Sequence, residues 1–487
     1  MATVTVNQEE KYHTAKKWQI GFFALNNTAT NLYMFLMLFV SYYATGVAGL
    51  TVVLVSTILT FMRIFDGITD PIIGYIIDKT ESRFGKFAPL MVLGNIILAA
   101  TAYITFTFTH LMPDSLQFAF FVAIHIIYII GYTFQAACTR AAQTVLTNDP
   151  KQRPLFSIFD ATYNAVLFTG GQMFIAMYLV AKHGGFTLPL FAELKYYVII
   201  LSAIFTCLAV IAIKGKDRKE YYGLVDQNVK TSFRDYWPVL KGNRALQMLV
   251  LAASTDKLAN MMPRQAAVGV MFFGILLGDY ALSGTIGLVV LIPTLLVTFF
   301  GIEKARKIGL KRAFVMGTWV ALFFFGVTTI FLLSIDSTTI SLTSIGLVTV
   351  VFLILYSLAQ GFSSLTGNMV IPMIADVSDY ETYRTGRYVP GMIATIFSFV
   401  DKFVSSLAPA IVGFAVALIG YRDSFPEVGE ALTPALLLMS LFLMFGIPMI
   451  GYIISLIAMK FYPLDDKKME EIQTAIADIK KESKEAV

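Results

Sequence analysis

The stretch Arg63-Ile-Phe-Asp66-Gly-Ile-Thr69-Asp70-Pro71 sits inside an apolar run from about residue 50 to residue 77. One charge in such a run is costly, and three call for a use. At 100° per residue, Arg63, Asp66 and Asp70 fall within roughly 60° of one helix face. They therefore point together into a protein interior and avoid lipid. Two carboxylates on one face, with Thr69 beside them, suit a small hard cation or a proton. The alternative is an ion pair that only locks helices together, with Arg63 neutralising one aspartate. One arginine cannot neutralise two carboxylates, so the surplus negative charge needs another cation.

The same logic extends to the whole chain. Of 487 residues, 57% are hydrophobic and only 14% charged, which excludes an ordinary soluble domain and indicates a polytopic helical membrane protein. Apolar runs long enough to span recur about twelve times, at about 18–45, 50–78, 87–109, 116–146, 155–181, 194–213, 245–277, 282–302, 312–334, 340–373, 389–420 and 432–461. The first run is too long for a signal-peptide core and reads as an uncleaved span. Lysine and arginine concentrate in the N-terminus and in the loops after even-numbered spans, while the opposite loops hold little beyond Lys182, Lys195 and Arg422. The positive-inside rule then places both termini in the cytoplasm of a cell membrane protein. Cys138 and Cys207 both lie in apolar runs and read as packing residues.

The expected organisation is a six-helix half over 1–213, a charged middle loop over 214–244, a second six-helix half over 245–463 and a tail over 464–487. The halves echo each other. Gly74-Tyr-Ile-Ile-Asp78-Lys79-Thr-Glu-Ser-Arg83-Phe-Gly85-Lys86 follows span two, and Gly301-Ile-Glu303-Lys304-Ala-Arg306-Lys307-Ile-Gly309-Leu-Lys311-Arg312 follows span eight. Both are short, basic and glycine-punctuated, and both follow a proline-containing helix. Two parallel repeats of six spans predict an all-α, twelve-helix membrane protein of the major facilitator fold. The tail, rich in Lys and Glu, is expected to be a short solvated helix without an assigned role.

Other polar residues fall inside spans. Asp256 and Lys257 lie in span seven, Asp401 and Lys402 in span eleven, Asp160 near the start of span five and Arg140 toward the end of span four. Adjacent Asp and Lys on a helix point about 100° apart, so neither pair is simply self-satisfying. Lys402 is the candidate to approach Asp66 and Asp70, where it competes with a bound cation or responds to protonation. Asn27, Asn31, Gln135 and Asn164, with Arg140, Asp160 and Asp256, are candidates to line a substrate cavity. A sugar needs several such hydrogen-bonding partners and aromatic faces beneath its ring. Any single Asn or Gln on a span is more often a helix–helix hydrogen bond. The four histidines show no metal spacing, and there is no P-loop, which argues against an enzyme or an ATP-driven pump.

The motif Arg63-x-x-Asp66-x-x-Thr69-Asp70-Pro71, with Gly74 and Ser82-Arg83-Phe84-Gly85-Lys86-Phe87, closely resembles span two of the glycoside–pentoside–hexuronide:cation symporters, the melibiose-carrier type. The stretches Thr147-x-Asp149-Pro-Lys151-x-Arg153, Ile374-Ala-Asp376-Val-Ser-Asp379-Tyr380-Glu381 and Phe399-Val-Asp-Lys402 are similar to that family's loops after spans four and ten and to its span eleven. The resemblance implies that Asp66 and Asp70 bind the coupling ion, Na⁺ or H⁺, with Thr69 and Lys402 nearby. Na⁺ would make Asp66 and Asp70 metal ligands. It also implies that Arg83, Asp376, Asp379 and Arg387 form a gating charge network. Family carboxylates that grip sugar on spans one and four have no counterpart in Ala24-Leu-Asn26-Asn27-Thr28 or Phe134-Gln135-Ala-Ala-Cys138-Thr139-Arg140. The expected function is uptake of a sugar, glycoside or uronide coupled to Na⁺ or H⁺ entry by alternating access. It needs no cofactor and no nucleic acid, only substrate, cation and bilayer. The alternatives are carriage of a non-sugar anion or amphiphile, with Arg140, Lys257 or Arg264 as counter-ion, and a non-transporting sensor on the same scaffold.

Overall fold

The computed structural model describes residues 13–80, 82–147, 149, 152–221, 236–386 and 390–485, and every regular element among them is helical. The chain forms two compact units. The first is Met1–Val229 with Arg422–Phe425; the second is Lys230–Tyr421 with Pro426–Val487.

The first unit holds α1 (Lys17–Val47), α2 (Val52–Lys79), α3 (Ala88–Phe108), α4 (Asp114–Leu146), α5 (Pro154–His183) and α6 (Leu188–Ile213). The second holds a short α7 (Tyr236–Gly242), then α8 (Arg244–Met261), α9 (Ala266–Leu276), α10 (Leu282–Ile308), α11 (Leu310–Ser334), α12 (Leu347–Thr385), α13 (Met392–Leu418), α14 (Pro434–Lys460) and α15 (Asp466–Glu485). Eleven of these helices, 24 to 39 residues long, have the length and composition to cross a bilayer.

The twelfth expected span, 245–277, is not one helix. It is α8 followed by α9, with a break at Met262-Pro263-Arg264-Gln265. Pro263 lacks a backbone N–H and its ring clashes with a preceding carbonyl, so the helix stops before it. The continuous apolar count hid this break.

Packing within each unit repeats. In the first, α1 lies along α6, α5 and α4, α3 along α4 and α6, and α2 along α4. In the second, α8 lies along α14, α13 and α12, α11 along α12 and α14, and α10 along α12. Taking α8 with α9 as one span, the pairs are the same six, as expected for a duplicated six-helix unit.

The basic loops repeat in finer detail. Gly85 has φ +99°, and a Cβ there would lie 2.2 Å from Asp217 Oδ2. Asp217, buried just after α6, accepts from the backbone N–H groups of Lys86 (2.9 Å), Phe87 (2.8 Å) and Ala88 (2.8 Å). It thereby caps α3 from a distance. Gly309 has φ +85°, and a Cβ there would collide with the carboxylate of Asp466, just after α14. The sixth helix of each unit is thus followed by an aspartate pressed on the glycine before the third.

The tail is helical, but not solvated all round. α15 buries Ile472 and Ile476 against the core of the second unit, which includes Met373, Val377 and Tyr462. Its Lys and Glu residues hid an apolar stripe of helical period.

Candidate functional site

On α2, Asp66 and Asp70 are half-buried and Thr69 is buried. The Thr69 hydroxyl donates to the Asp66 carbonyl (3.0 Å) and lies 3.2 Å from the Thr133 hydroxyl of α4. Thr133, almost fully buried, donates to Asp66 Oδ1 at 3.1 Å. Two hydroxyls and two carboxylates a helical turn apart therefore gather on one α2–α4 seam. All the donor atoms are oxygen, which suits a hard monovalent cation or a proton. Three or more His, Cys, Asp or Glu do not cluster anywhere among the described residues. Thr133 escaped the sequence reading because nothing distinguishes it from the other hydroxyls of the apolar spans.

Arg63, also half-buried, has Tyr132, Tyr128 and Asp66 as its electrostatic neighbours. The interaction with Asp66 is attractive and joins Arg63 to the carboxylate end of the cluster. Lys402 lies half-buried on α13 in the second unit. Its neighbour Asp401 is bound by Lys257 of α8 in a close ion pair. The adjacent Asp256-Lys257 and Asp401-Lys402 are thus cross-linked by one member of each.

The polar candidates of the first unit form two groups. Asn27 Nδ2 donates to Asp160 Oδ1 (2.6 Å) and Asn31 Nδ2 to Asn164 Oδ1 (2.7 Å), linking α1 to α5. The Phe23–Phe156 and Phe35–Phe168 ring pairs flank them at the same sequence offset. The α1–α5 seam is therefore a parallel ladder with two polar rungs between aromatic ones. These four polar side chains are part-buried and retain hydrogen-bonding atoms that the rungs leave uncommitted among the described residues.

Gln135 is different. It is fully buried, and its amide donates to Thr206 (2.9 Å) and Asn26 (3.3 Å), while Asn26 donates to Thr139 (2.6 Å). It ties α1, α4 and α6 together rather than lining an open face, which is what an amide between apolar helices commonly does. Asp256 is likewise sealed inside the second unit at 2% exposure, not on an accessible face. Arg140 is exposed, and its Nε donates only to its own helix at the Ala136 carbonyl (3.4 Å). Seven residues beyond Thr133, it shares that α4 face about 10 Å along the axis.

Of the expected gating charges, Arg83 is exposed and stacks over the Phe84 ring. Asp379 accepts from Gln473 of α15 (2.7 Å), and Asp376 lies near Asp379 and Asp466. Arg387 lies outside the described residues. Sequence reasoning missed a buried partner set beside them, in which Glu381 takes Arg384 (3.0 Å) and the Asn243 amide (2.8 Å). Asn243 also caps α8 through the Leu246 N–H, so the start of α8 is tied to the end of α12.

Comparison with known proteins agrees with this architecture. The chain is 26% identical over 468 residues to the uncharacterized symporter YnaJ of Bacillus subtilis, covering 92% of each chain. It is 23% identical to the glucuronide carrier protein homolog of Escherichia coli, covering 98% of each. The solved nucleoside transporter NupG superposes with a TM-score of 0.63 over 92% of this chain and 99% of its own, at 11% identity, which speaks to the fold alone. The sequence model of the MFS/sugar transport proteins matches residues 22–466, and the chain belongs to that family.

Proposed function

We propose that the chain is a symporter that uses Na⁺ or H⁺ entry to take up a sugar, glycoside or uronide by alternating access. It works in the cell membrane, with both termini in the cytoplasm. Asp66 and Asp70 hold the coupling ion, with the Thr69 and Thr133 hydroxyls as neutral ligands. Lys402 carries the charge that replaces the ion when the site empties. The observation behind this reading is the Thr133–Asp66 hydrogen bond, which fixes one carboxylate on the α2–α4 seam with two hydroxyl oxygens beside it. A hydrogen-bonded carboxylate is pre-organised, so a cation entering it finds ligands already placed. Occupancy then biases which of two arrangements of the halves binds substrate well.

The test is uptake into proteoliposomes under imposed Na⁺ or H⁺ gradients, across neutral glycosides and glucuronides. Asp66→Ala and Asp70→Ala should abolish uphill accumulation. Gradient-driven uptake at the wild-type level in either variant would refute the assignment.

Within that class, Arg140 favours a substrate bearing a carboxylate. It is exposed, has no acidic partner among the described residues and shares the face of Thr133. A guanidinium presents a fork that matches a carboxylate. Arg140→Gln should then weaken glucuronide uptake far more than uptake of a neutral glycoside, and equal losses would favour the neutral substrate.

A further inference from the structure

Asp256 of α8 is buried at 2% exposure, and neither carboxylate oxygen has a hydrogen-bond partner among the described residues. The hydroxyl that faces it is that of Ser455 on α14, itself buried and without a partner at ordinary hydrogen-bond distance. One turn earlier on α14, Gly451 is pressed on α8. A Cβ there would lie 2.8 Å from the Thr255 carbonyl oxygen, which leaves no room for a hydration shell.

The nearby donors are engaged elsewhere. Asn260 Nδ2 donates to the Asp256 carbonyl (2.9 Å), its Oδ1 accepts from Ser363 (2.8 Å), and Ser363 pairs with the Tyr452 hydroxyl (2.6 Å). Among the described residues, no Lys or Arg forms an ion pair with Asp256. The helices packed on α8 are α14, α13, α12 and the short α7. The titratable groups they bring to this stretch are Tyr452 from α14 and Asp401 and Lys402 from α13. Asp401 is bound to Lys257, whose side chain leaves α8 in another direction. The charges of α12, namely Asp376, Asp379, Glu381 and Arg384, lie in its last three turns, where Glu381 takes Arg384 and Asp379 takes Gln473, and the charge of α7 is the exposed Lys241.

A carboxylate in a dry site, faced by a single hydroxyl and by no cation among the described residues, is a costly form for this side chain to take. A proton removes the contradiction. The acid O–H then has the Ser455 oxygen to point at, and the uncharged group tolerates its surroundings.

We propose that Asp256 is a second proton-binding site, in the second unit and separate from Asp66 and Asp70, holding one proton as a neutral carboxylic acid while α8 and α14 are closed on each other. The proton is taken from bulk water as the two helices close. It returns there when they part and water reaches the carboxylate. The site does not depend on which solute the chain carries.

The test is infrared difference spectroscopy of the full-length protein in lipid nanodiscs at neutral pH. Wild type minus Asp256→Asn should show the C=O band of a protonated carboxylic acid, shifted in D₂O. The band should cancel in wild type minus the Asp66→Asn/Asp70→Asn double variant, and should reappear when the spectrum of that double variant with Asp256→Asn added is subtracted from that of the double variant. Asp256→Asn, neutral and nearly isosteric, should unfold at the wild-type temperature. Spectra without a band that depends on Asp256 would overturn the proposal. Should Asp256→Asn fail to fold, the wild type decides alone, because a protonated-carboxyl band must persist there as the pH is raised well above the range of ordinary carboxylates. A Na⁺-dependent thermal shift that survives in the Asp66→Asn/Asp70→Asn variant and vanishes on adding Asp256→Asn would also overturn it, by putting a metal cation where the proton is proposed.

Discussion

Replacing Asp217 by alanine should destabilise the first unit through three backbone groups at once. The carboxylate accepts from the N–H groups of Lys86, Phe87 and Ala88 at the entrance of α3. Leaving one buried donor unsatisfied costs about 1–3 kcal/mol, and losing a helix N-cap about 0.5–2 kcal/mol. Water reaches half-buried Lys86 but not buried Phe87 and Ala88, so the net cost is about 2–4 kcal/mol. By the scaling for a unit of this size, that is a fall of roughly 5–12 °C in unfolding temperature. Asp217→Asn keeps an oxygen where Oδ2 sits and so keeps two of the three bonds; it should cost less than half as much. Gly85→Ala attacks the same joint from the other side, since its Cβ would meet Asp217 Oδ2 at 2.2 Å in a backbone held at φ +99°. The two changes touch the same atoms, so Gly85→Ala/Asp217→Ala should cost less than the sum of the singles. Thermal unfolding of the purified full-length protein gives all four values. An Asp217→Ala variant that melts with the wild type, or strictly additive costs, would refute the capping argument.

Thr133→Val should raise the coupling-cation concentration needed for half-maximal uptake about tenfold, the equivalent of one hydrogen bond to a charged group, while Thr133→Ser restores it; an unchanged cation titration in Thr133→Val would remove this residue from the site. Gln135→Leu should lower the unfolding temperature without changing the substrate KM of the protein that remains, whereas a KM change at unaltered stability would return Gln135 to the substrate cavity. Across the α1–α5 ladder, a double-mutant cycle on Asn27→Ala and Asp160→Ala should give a coupling of about 1 kcal/mol in thermal stability, and a coupling near zero would mean that the rung is not formed. Ile472→Ala should cost about 2–4 kcal/mol because the side chain is fully buried against the second unit, and a truncation at residue 464 that left stability untouched would contradict the docking of α15.

What could be read from the sequence was what hydropathy and charge encode directly. The spans, the two halves and the cluster Arg63, Asp66, Thr69, Asp70 follow from the cost of polar groups in hydrocarbon. What stayed hidden depends on partners far along the chain. Asp217 sits in a charge run that looks like any solvated linker, and its meaning comes from α3, well over a hundred residues earlier. Thr133 and Gln135 lie two residues apart on α4, yet one meets a carboxylate of α2 and the other an amide of α1. Two residues on a helix point about 200° apart, so composition alone does not say which faces the site. The break in span seven was legible in Pro263 and Arg264, but a count of apolar length averages over both.

The duplicated scaffold sharpens the contrast between its carboxylates. The same six helix pairings and the same glycine–aspartate joint recur in both units, so the backbone frame carries little of the functional asymmetry. The side chains carry it. On α2 the carboxylates are half-buried and Asp66 is held by a neutral hydroxyl, an arrangement that lets an ion enter and leave without unpacking helices. On α10, the equivalent helix, the stretch before the basic loop reads Val290-Leu-Ile-Pro-Thr294 and has no charge to offer. The second unit instead buries Asp256 where Gly451 brings α14 against α8, a place that a charge cannot enter without separating those helices. Under the proposed assignments, exchange at Asp66 and Asp70 keeps pace with transport through side-chain motion alone, while exchange at Asp256 requires the helices themselves to move. In that proposed scheme the carboxylates in the accessible seam report the ion gradient, and the one sealed between helices reports the conformation.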